Sequence, residues 1–457
     1  LRTADGSVTD KGATVNSVAV SGGVMAVAVE AAEKTDHGWV VFFDTTTLRY
    51  LGGVRVGALP DSLAFSPNGA YVVVANEGEP ADDFSVDPEG TISVVSVPKN
   101  ARQFSRLTQD AVRTVDFRAY DAGTALPAGV RVSGPDMAVP AGHEPAVTVD
   151  PTGRTAYVSV QEANAVAVVD LKSATLEDLW ALTPTDWSTE GVLDASDKDG
   201  GIELGHWPVD GLPMPDGIDT YRWRGQNLVV TANEGDGREW GDFNDSERVS
   251  DLDLCAAEFP GAKALQKKDA LGRLKVLTDL GYDSERECHS SLTTLGGRSF
   301  SIYTADGTRL FDSAGMIEEQ IARLVAAGEL PEHAFNANND ETPSGDSRSD
   351  DKGPEPESVV VGTIQGRTYA FVGLERIGGV VVFDITDPRN ATYVDYVNDR
   401  DWDAAGDDAT AGLGDMGAEG LTFVPADESP SGTALLIVAN EVSGSTTVYE
   451  VNPTRRQ

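Results

Sequence analysis

Short apolar segments recur along the chain in pairs, and each pair is joined by a tight turn. The stretches SLAFSPNGAYVVVAN, AVTVDPTGRTAYVSVQ and VVVGTIQGRTYAFVGL each read as an apolar run, a turn with Gly, Pro or Asn, and a second apolar run. Runs of this length bounded by turn residues predict antiparallel hairpins, whose strands lie about 4.7 to 4.9 Å apart. The first and last residues of each hairpin should therefore meet at its open end.

Polar or acidic residues occupy these open ends. The pairs are Asn16/Glu30, Asp61/Glu77, Glu144/Glu162, Asp216/Glu234, Glu357/Glu375 and Glu419/Glu441. A third apolar segment, such as GWVVFFD or GGVVVFDI, follows each pair. Three regular strands and a less regular fourth, repeated in this way, predict the blades of a β-propeller, whose innermost strands begin at the channel mouth. The paired acids should therefore ring one end of the channel.

The spacing of the pairs predicts the number of blades. The interval from 216 to 357 is about twice the preceding one, and the segment 291–313 fits a further blade. We therefore predict an all-β fold, a single seven-bladed β-propeller over residues 1–457 with long inter-blade insertions, closed by the two chain ends. The blades are expected at about 15–52, 59–100, 144–182, 214–280, 290–315, 356–396 and 417–452, and the insertions at about 101–143, 183–213, 235–290, 326–356 and 396–416.

The net charge of −39 narrows the range of partners. A chain this acidic repels the phosphate backbone, so nucleic acid is an unexpected partner, and no apolar run is long enough to span a membrane. Acids scattered through the loops are explained by solubility in a salty or extracellular setting. Acids crowded around one channel mouth repel one another and need cations.

Carboxylates with few histidines suit a hard cation. We predict Ca²⁺, with Mn²⁺ or Mg²⁺ as alternatives. The predicted ligands are Asp61, Glu77, Glu144, Asp216, Glu234, Glu357, Glu375, Glu419 and Glu441. His143 precedes one of them, and a structural role suits it better than a ligand role. Asp194, Asp197 and Asp199 before Gly200 resemble part of a structural calcium loop, although the EF-hand pattern is not met.

Three arginines are candidate catalytic residues. Arg298 lies near the acid position of the expected extra blade, Arg376 follows Glu375, and Arg348 precedes Glu357. The planar guanidinium matches phosphate oxygens, so these side chains could clamp a phosphoryl group. Salt bridges to the neighbouring acids are the alternative for each. Serine-hydrolase, HExxH and P-loop motifs are absent from the sequence.

Cys255 and Cys288 are the chain's two cysteines and share one insertion. A disulfide between them would add about 3 to 4 kcal/mol by loop-closure entropy and would indicate a location outside the cytoplasm. Two unrelated free thiols are the alternative.

Several ordered motifs carry a family resemblance. ALPDSLAFSPNGAYVVVANEGEP, LDASDKDGG, TANEGDGREW, GGRSFSIY, SRSDDKGPEPE, GLERIGGVVVFDIT and ANEVSGSTTVYEV together resemble the choice-of-anchor I family. Its members are secreted propellers described as alkaline-phosphatase-like or as esterase-like relatives of phytase, and some as surface glycoproteins. The resemblance implies export and a seven-bladed propeller, and says less about the reaction.

Two hypotheses follow for the function. The first is a secreted or cell-surface, metal-dependent phosphoester hydrolase, a monomer that acts on a small phosphorylated substrate at the channel mouth. The second is a non-catalytic surface or matrix propeller whose acids bind structural calcium. They differ in whether the metal has an open coordination position that faces solvent.

Overall fold

The computed structural model describes residues 1–133, 147–407 and 412–452 and shows an all-β, propeller-like architecture. Six successive antiparallel sheets of three or four strands lie within these ranges. Sheet 1 contains Val15–Ser21, Val24–Val29, His37–Asp44 and Tyr50–Ala58, and sheet 2 contains Pro60–Phe65, Tyr71–Asn76, Thr91–Ser96 and Val112–Val115. Sheet 3 contains Val147–Val149, Thr155–Val160, Ala165–Asp170 and Thr175–Ala181.

The other three sheets follow the same plan. Sheet 4 contains Ile218–Trp223, Gln226–Asn233, Ser299–Thr304 and Arg309–Asp312. Sheet 5 contains Pro356–Ile364, Arg367–Leu374, Val380–Asp384 and Thr392–Val397. Sheet 6 contains Ala418–Val424, Ala434–Asn440 and Ser445–Val451. Each is a meander in which neighbouring strands run antiparallel.

The sheets stack face to face in chain order. Apolar clusters fill each interface, as where Phe42 of sheet 1 packs with Leu63 and Val74 of sheet 2, and where Phe300 of sheet 4 packs with Phe383 of sheet 5. The second strands of sheets 2 and 3 are buried on both faces because each of these sheets lies between two others, which explains their unbroken valine-rich runs. The first strand of each sheet packs against the first strand of the next. These first strands therefore converge on one central region.

The prediction of a separate blade at 290–315 is wrong. Ser299–Thr304 pairs with Gln226–Asn233, and Arg309–Asp312 pairs with Ser299–Thr304, so these strands complete sheet 4. A long insertion separates the second and third strands of this sheet, and that separation gave the appearance of an extra repeat. Seven blades are not confirmed, and neither is closure of the ring by the two chain ends, since the described residues form no closed sheet.

The outer faces of the first and last sheets carry exposed valines. On sheet 1, Ala19 packs toward sheet 2, whereas Val18 and Val20 on the opposite face are exposed. On sheet 6, Tyr449 packs toward sheet 5 and Val448 is exposed. The stacked interfaces therefore run from sheet 1 to sheet 6 and leave these two faces uncovered within the described residues.

The connecting segments contain short elements. A small sheet joins Thr185–Asp186, Asp210–Leu212 and Thr293–Leu295, and two-strand pairs form between Glu239–Trp240 and Phe243–Asn244, Ser246–Arg248 and Lys275–Leu277, Tyr282–Asp283 and Cys288–His289, and Glu341–Thr342 and Gly406–Asp407. The α-helices are Arg118–Asp121, Ala262–Leu265 and Met316–Ala327, and the 3₁₀ turns are Ala101–Arg106, Gln109–Ala111, Val249–Asp251, Leu271–Arg273 and Glu332–Ala334. The expected insertion 101–143 thus includes Val112–Val115, the fourth strand of sheet 2.

The predicted disulfide is confirmed. Cys255 and Cys288 are bonded, with their Cα atoms 5.1 Å apart. The bond closes much of the insertion that lies within sheet 4. In the described part of the chain, no helix combines the length and apolar character needed to cross a membrane.

Candidate metal centre

Several of the acids that open the hairpins sit on β-bulges. The register shifts between Pro60 and Ser62, between Pro356 and Ser358, and between Ala418 and Gly420. Asp61, Glu357 and Glu419 are therefore the extra residues of their strands. A bulge leaves one residue unpaired and changes the direction of its side chain. This local geometry turns acids of three different sheets toward the same central region.

The closing glutamates follow the second strands directly. The backbone N–H of Glu77 donates to Leu59 O at 2.8 Å, and that of Glu441 donates to Gly417 O at 2.7 Å. These bonds continue the hairpin by one residue beyond the regular ladder. The opening and closing acids of one hairpin are thereby held side by side, as the sequence predicts.

These side chains line one cavity of about 240 Å³. The lining residues are Asp61, Glu77, Gln161, Asp216, Glu234, Asp236, Glu357, Glu375, Glu419 and Glu441. Eight of the nine predicted ligands are among them. The ninth, Glu144, lies outside the described residues, as does His143. We call this space the acidic cavity.

Two sets of carboxylates in the described residues have metal-ligand spacing. Asp216, Glu234 and Glu357 each present an oxygen, and these oxygens lie within 4.8 Å of one another. Glu234 forms a second set with Glu355 and Glu375 at the same spacing. Oxygen ligands at this spacing suit a hard divalent cation.

Cationic side chains already neutralise the second set. The Lys352 ammonium donates to Glu234 and lies 3.0 Å from Glu355 Oε2. Arg348 Nη2 lies 2.7 Å from Glu355 Oε1, and Arg376 Nε lies 3.1 Å from Glu375 Oε2. Burial alone would raise the pKa of Glu355, but Lys352, Arg348 and Arg376 lower it to about 2.

In the described part of the chain, Asp216 and Glu357 of the first set have no such compensation, and the shared member Glu234 is paired with Lys352. Among the residues that the structure describes, no Lys or Arg forms an ion pair with Asp61, Asp216, Glu357 or Glu419. Burial, followed by the charges of Asp216 and Glu234, raises the pKa of Glu357 well above its ordinary value. Burial, followed by the charge of Asp216, does the same for Asp61. The set that includes Asp216 and Glu357 is therefore the better candidate for a bound metal.

Burial and neighbouring charges also raise the pKa of two acids at the rim of the cavity, Glu419 and Glu375. Burial and the nearby charges of Asp216 and Glu441 raise the pKa of Glu419 to about 9, and burial with Glu355 raises that of Glu375 to about 7. Like charges that cannot separate must take up protons or a cation. The residues present thus fit a divalent ion, which would replace those protons.

The placement of Arg298 contradicts its predicted catalytic role. Arg298 is 1% exposed, and its Nη atoms donate to Glu318 and to the backbone oxygens of Asp194, Ser349 and Asp351. A guanidinium bound in this way cannot reach a phosphate in the acidic cavity. The sequence suggested otherwise because Glu318, its carboxylate partner, lies on a helix 20 residues further along the chain.

Arg348 and Arg376 lie beside the cavity, but their donors are engaged. Arg348 pairs with Glu355 and with Asp351, and Arg376 pairs with Glu355 and Glu375. This is the salt-bridge alternative that the sequence left open. Sequence reasoning did not assign a role to Glu355, although SRSDDKGPEPE places it two residues before Glu357.

The predicted structural calcium loop does not assemble as expected. Asp197 accepts hydrogen bonds from Arg273 and Lys198, whereas Asp199 accepts one from the backbone of Gly201. Asp194 turns inward and is fully buried. The three aspartates therefore have different partners, and they form no set at metal-ligand spacing in the described residues.

Asp236 and Gln161 line the cavity without having been predicted as site residues. Gln161 Nε2 donates to Glu234 Oε2 at 2.7 Å. A glutamine one residue before a predicted closing glutamate was the available signal for it.

Comparisons with known proteins give a family and two partial relatives. The choice-of-anchor I domain matches residues 2–388. "Mesenchyme-specific cell surface glycoprotein" of Strongylocentrotus purpuratus is 32% identical over 234 residues, 44% of this chain and 29% of that protein. "Gigasin-3a" of Magallana gigas is 29% identical over 195 residues, 41% of this chain and 67% of that protein. The chain thus spans less than a third of the first relative.

Solved structures resemble the chain over most of its length at low identity. Periplasmic gluconolactonase PpgL of Pseudomonas aeruginosa is 14% identical, with a TM-score of 0.41 over 97% of this chain and 82% of that one. The β-propeller domain of Myceliophteria thermophila Cps50 (Swd1) is 12% identical, with a TM-score of 0.35 over 97% and 99% of the two chains. At this level of similarity, no reaction is transferred from them. The family match, in contrast, covers most of the chain, and the protein belongs to the choice-of-anchor I family.

Proposed function

We propose that this protein is an extracellular, divalent-metal-dependent phosphoester hydrolase with its site at the mouth of the acidic cavity. Ca²⁺ suits the oxygen ligands best, and Mn²⁺ and Mg²⁺ are alternatives. The observation that carries the proposal is the set formed by Asp216, Glu234 and Glu357. Its oxygens lie at ligand spacing in a cavity that is larger than one ion requires.

The volume of the acidic cavity determines whether water or substrate fits beside a bound ion. Liquid water takes up about 30 Å³ per molecule, so the cavity of about 240 Å³ corresponds to roughly eight waters. An ion held by protein oxygens alone would leave most of that space for water or substrate. An open coordination position is the property that distinguishes catalytic from structural metal sites.

The residues around the acidic cavity could bind the metal, neutralise the adjacent carboxylates and accept a proton, as a hydrolase requires. A bound divalent ion would polarise a phosphoryl oxygen and lower the pKa of a bound water. Asp216 and Glu357 would hold the ion, while Lys352 and Arg376 keep the adjacent carboxylates neutralised. Asp236 is exposed at the rim, where it could accept a proton from an attacking water. The expected substrate is a small phosphorylated molecule, and the expected oligomeric state is a monomer.

The location fits this proposal. A disulfide and a choice-of-anchor domain indicate an extracellular or surface location, since disulfides persist in oxidising compartments. Secretion or attachment to the cell surface is the form of that location that we propose. The strongly acidic surface argues against a nucleic-acid partner.

A second function is favoured by two observations. One relative is named as a cell surface glycoprotein, and Arg348 and Arg376 are held in ion pairs and do not point freely into the cavity. The alternative is therefore a non-catalytic, calcium-binding surface or matrix propeller. In that case the ion would neutralise the cavity and carry out no hydrolysis.

One experiment separates the two functions. Metal content is measured on the purified protein, and phosphomonoester, phosphodiester and phosphotriester substrates are assayed with Ca²⁺, Mn²⁺, Mg²⁺ or a chelator. The hydrolase predicts metal-dependent turnover that Glu357→Gln and Asp216→Asn abolish. Glu450→Gln, an exposed change of equal charge on sheet 6, is the matched control and should retain turnover. Bound metal without turnover of any substrate would favour the scaffold function.

A further inference from the structure

A second group of acids lies buried outside the acidic cavity. Asp194, Glu318 and Asn336 are fully buried, and Asp346 is mostly buried beside them. Asp194 comes from the loop after Trp187, Glu318 from the first turn of the helix Met316–Ala327, and the other two from the segment that follows this helix. We call this group the inner cluster.

Hydrogen bonds hold the inner cluster together. Arg298 Nη1 donates to Glu318 Oε1 and to the backbone oxygen of Asp194, each at 2.8 Å. Asn336 Nδ2 donates to the same Glu318 oxygen at 2.6 Å and to Ser349 Oγ at 2.9 Å. The Ser349 hydroxyl in turn donates to Asp346 Oδ1 at 2.6 Å. One side of each group is thus fixed by protein donors.

Two oxygen atoms of the inner cluster accept no hydrogen bond from the protein. Glu318 Oε2 and Asn336 Oδ1 are buried and lack any hydrogen-bond partner. Both are acceptors, and leaving a buried acceptor unpaired costs about 1 to 3 kcal/mol. Because the amide nitrogen of Asn336 is committed to Glu318 and Ser349, its oxygen points to the opposite side. Each of these buried oxygens can accept a hydrogen bond from water or coordinate a cation.

The charge of the inner cluster favours an ion over a water. Asp194, Glu318 and Asp346 bring three negative charges when ionised, and Arg298 supplies one positive charge to the set. A divalent cation would balance the remaining two charges, whereas a water would leave them in place.

We propose that the inner cluster is a structural Ca²⁺ site with Asp194, Glu318, Asn336 and Asp346 as its protein ligands. Four oxygen-bearing side chains, with carboxylates able to bind in bidentate fashion and with water, meet the six to eight oxygens that calcium takes. The carboxylate oxygens of the inner cluster do not all lie within 4.8 Å of one another. In the described residues, three acids reach that spacing only at the acidic cavity. Binding therefore requires the carboxylates of Asp194 and Asp346 to approach Glu318, and the Asp194 carboxylate starts from hydrogen bonds that it accepts from the backbone N–H groups of Ser196 and Glu203.

Calcium at this position would link three connecting segments, namely the loop after Trp187, the helix Met316–Ala327 and the stretch that follows this helix. It would also order the stretch 346–355, which carries Arg348, Lys352 and Glu355 to the edge of the acidic cavity. The ion would thus be stabilising in its own right and would position the cations of the neighbouring site. This proposal does not depend on catalysis at the acidic cavity.

The test counts calcium ions with the acidic cavity weakened. In a Glu357→Gln background, calcium content and the calcium-dependent rise of the melting temperature are measured after removal of free ion. We expect about one calcium per chain to remain. Adding Glu318→Gln or Asp346→Asn should remove it, with a fall in affinity of at least about tenfold. Both substitutions keep a hydrogen-bond acceptor for the existing donors.

Asp197→Asn in the same background is the matched control, because Asp197 binds Arg273 and contributes no ligand. It should retain the calcium. Unchanged calcium content and melting shift in both ligand variants would overturn the proposal. Crystals of the unaltered chain soaked in Tb³⁺ give a direct answer if the variants do not fold. An anomalous peak beside Glu318 Oε2 and Asn336 Oδ1 supports the site, and its absence overturns it.

Discussion

Neutralising Glu357 should stabilise the metal-free protein and remove the stabilisation that calcium gives. At a spacing of 4.8 Å, two carboxylates repel by about 3.5 kcal/mol with an effective dielectric constant near 20. Glu357→Gln removes two of the three repulsive pairs in its set, about 7 kcal/mol at that spacing before the opposite charge of Lys352 beside Glu234 is counted. The unaltered chain can instead take up a proton, which at pH 8 costs about 5 kcal/mol for a group with an ordinary pKa of 4.5. The expected gain in chelator at pH 8 is therefore about 2 to 5 kcal/mol after solvent screening.

The raised pKa of Glu357 determines how the effect of Glu357→Gln on stability changes with pH. A carboxyl whose pKa is raised in the folded state contributes most stability below its unfolded pKa, and this contribution is lost as pH rises toward the folded pKa. At pH 5 the proton costs less than about 1 kcal/mol, so the advantage of Glu357→Gln should almost vanish. In calcium at 100 times its dissociation constant, the unaltered chain gains about 2.7 kcal/mol that the variant lacks.

Denaturant unfolding in chelator at pH 5 and pH 8, and in calcium at pH 8, measures the gain in stability at pH 8, its loss at pH 5 and the stabilisation by calcium. Glu450→Gln, which removes an exposed charge from sheet 6, should change none of them by more than about 0.5 kcal/mol. If Glu357→Gln is less stable than the unaltered chain in chelator at pH 8, the carboxylates are not under mutual repulsion, and the argument for a cation there is wrong.

Three further outcomes are expected. Replacing Cys255 and Cys288 by serine should lower the free energy of unfolding by about 3 to 4 kcal/mol, and an equal loss on adding reductant to the unaltered chain would support the same cause. Lys352→Met should destabilise by about 3 to 5 kcal/mol, because it leaves the buried Glu234 without its cation and removes one of the three cations around Glu355; a neutral effect in denaturant unfolding would contradict this pairing. Calcium binding measured by calorimetry should weaken at least about tenfold from pH 8 to pH 5, since the ligands must lose protons whose pKa is raised, as that of Glu357 is by burial and by Asp216 and Glu234. An affinity that does not change with pH would place the ion elsewhere.

The sequence predicted the blades where local pattern and packing agree. Valine-rich runs between turn residues became the buried second strands, and the opening and closing acids met because a hairpin brings its ends together. The bulges at Asp61, Glu357 and Glu419 could not be predicted, because they depend on cross-strand register. The count of blades failed where a long insertion divides sheet 4, since sequence spacing does not reveal that Gln226–Asn233 pairs with Ser299–Thr304.

The sequence also did not predict which charged residues, distant along the chain, pair with one another. Arg298 was predicted to face the acidic cavity from its place in the repeat, yet Glu318 and three backbone oxygens hold it in the interior. Glu355 lies two residues from a predicted ligand and was not assigned a role, because its importance arises from the three cations that converge on it. The sequence contains the charges, and only the fold decides which of them are paired.

The distribution of cations among the acids is therefore the most informative feature of the molecule. Of 35 Lys and Arg residues, those near the centre are concentrated on Glu234, Glu355 and Glu375, while Asp216 and Glu357 have none in the described part of the chain. In a chain with a net charge of −39, this leaves a defined unbalanced charge at a defined place. A scaffold that needed only a neutral interior could have placed an arginine there. Two carboxylates without a cation at ligand spacing from a paired one, Asp216 and Glu357 beside Glu234, are the arrangement expected of a site for an exchangeable ion.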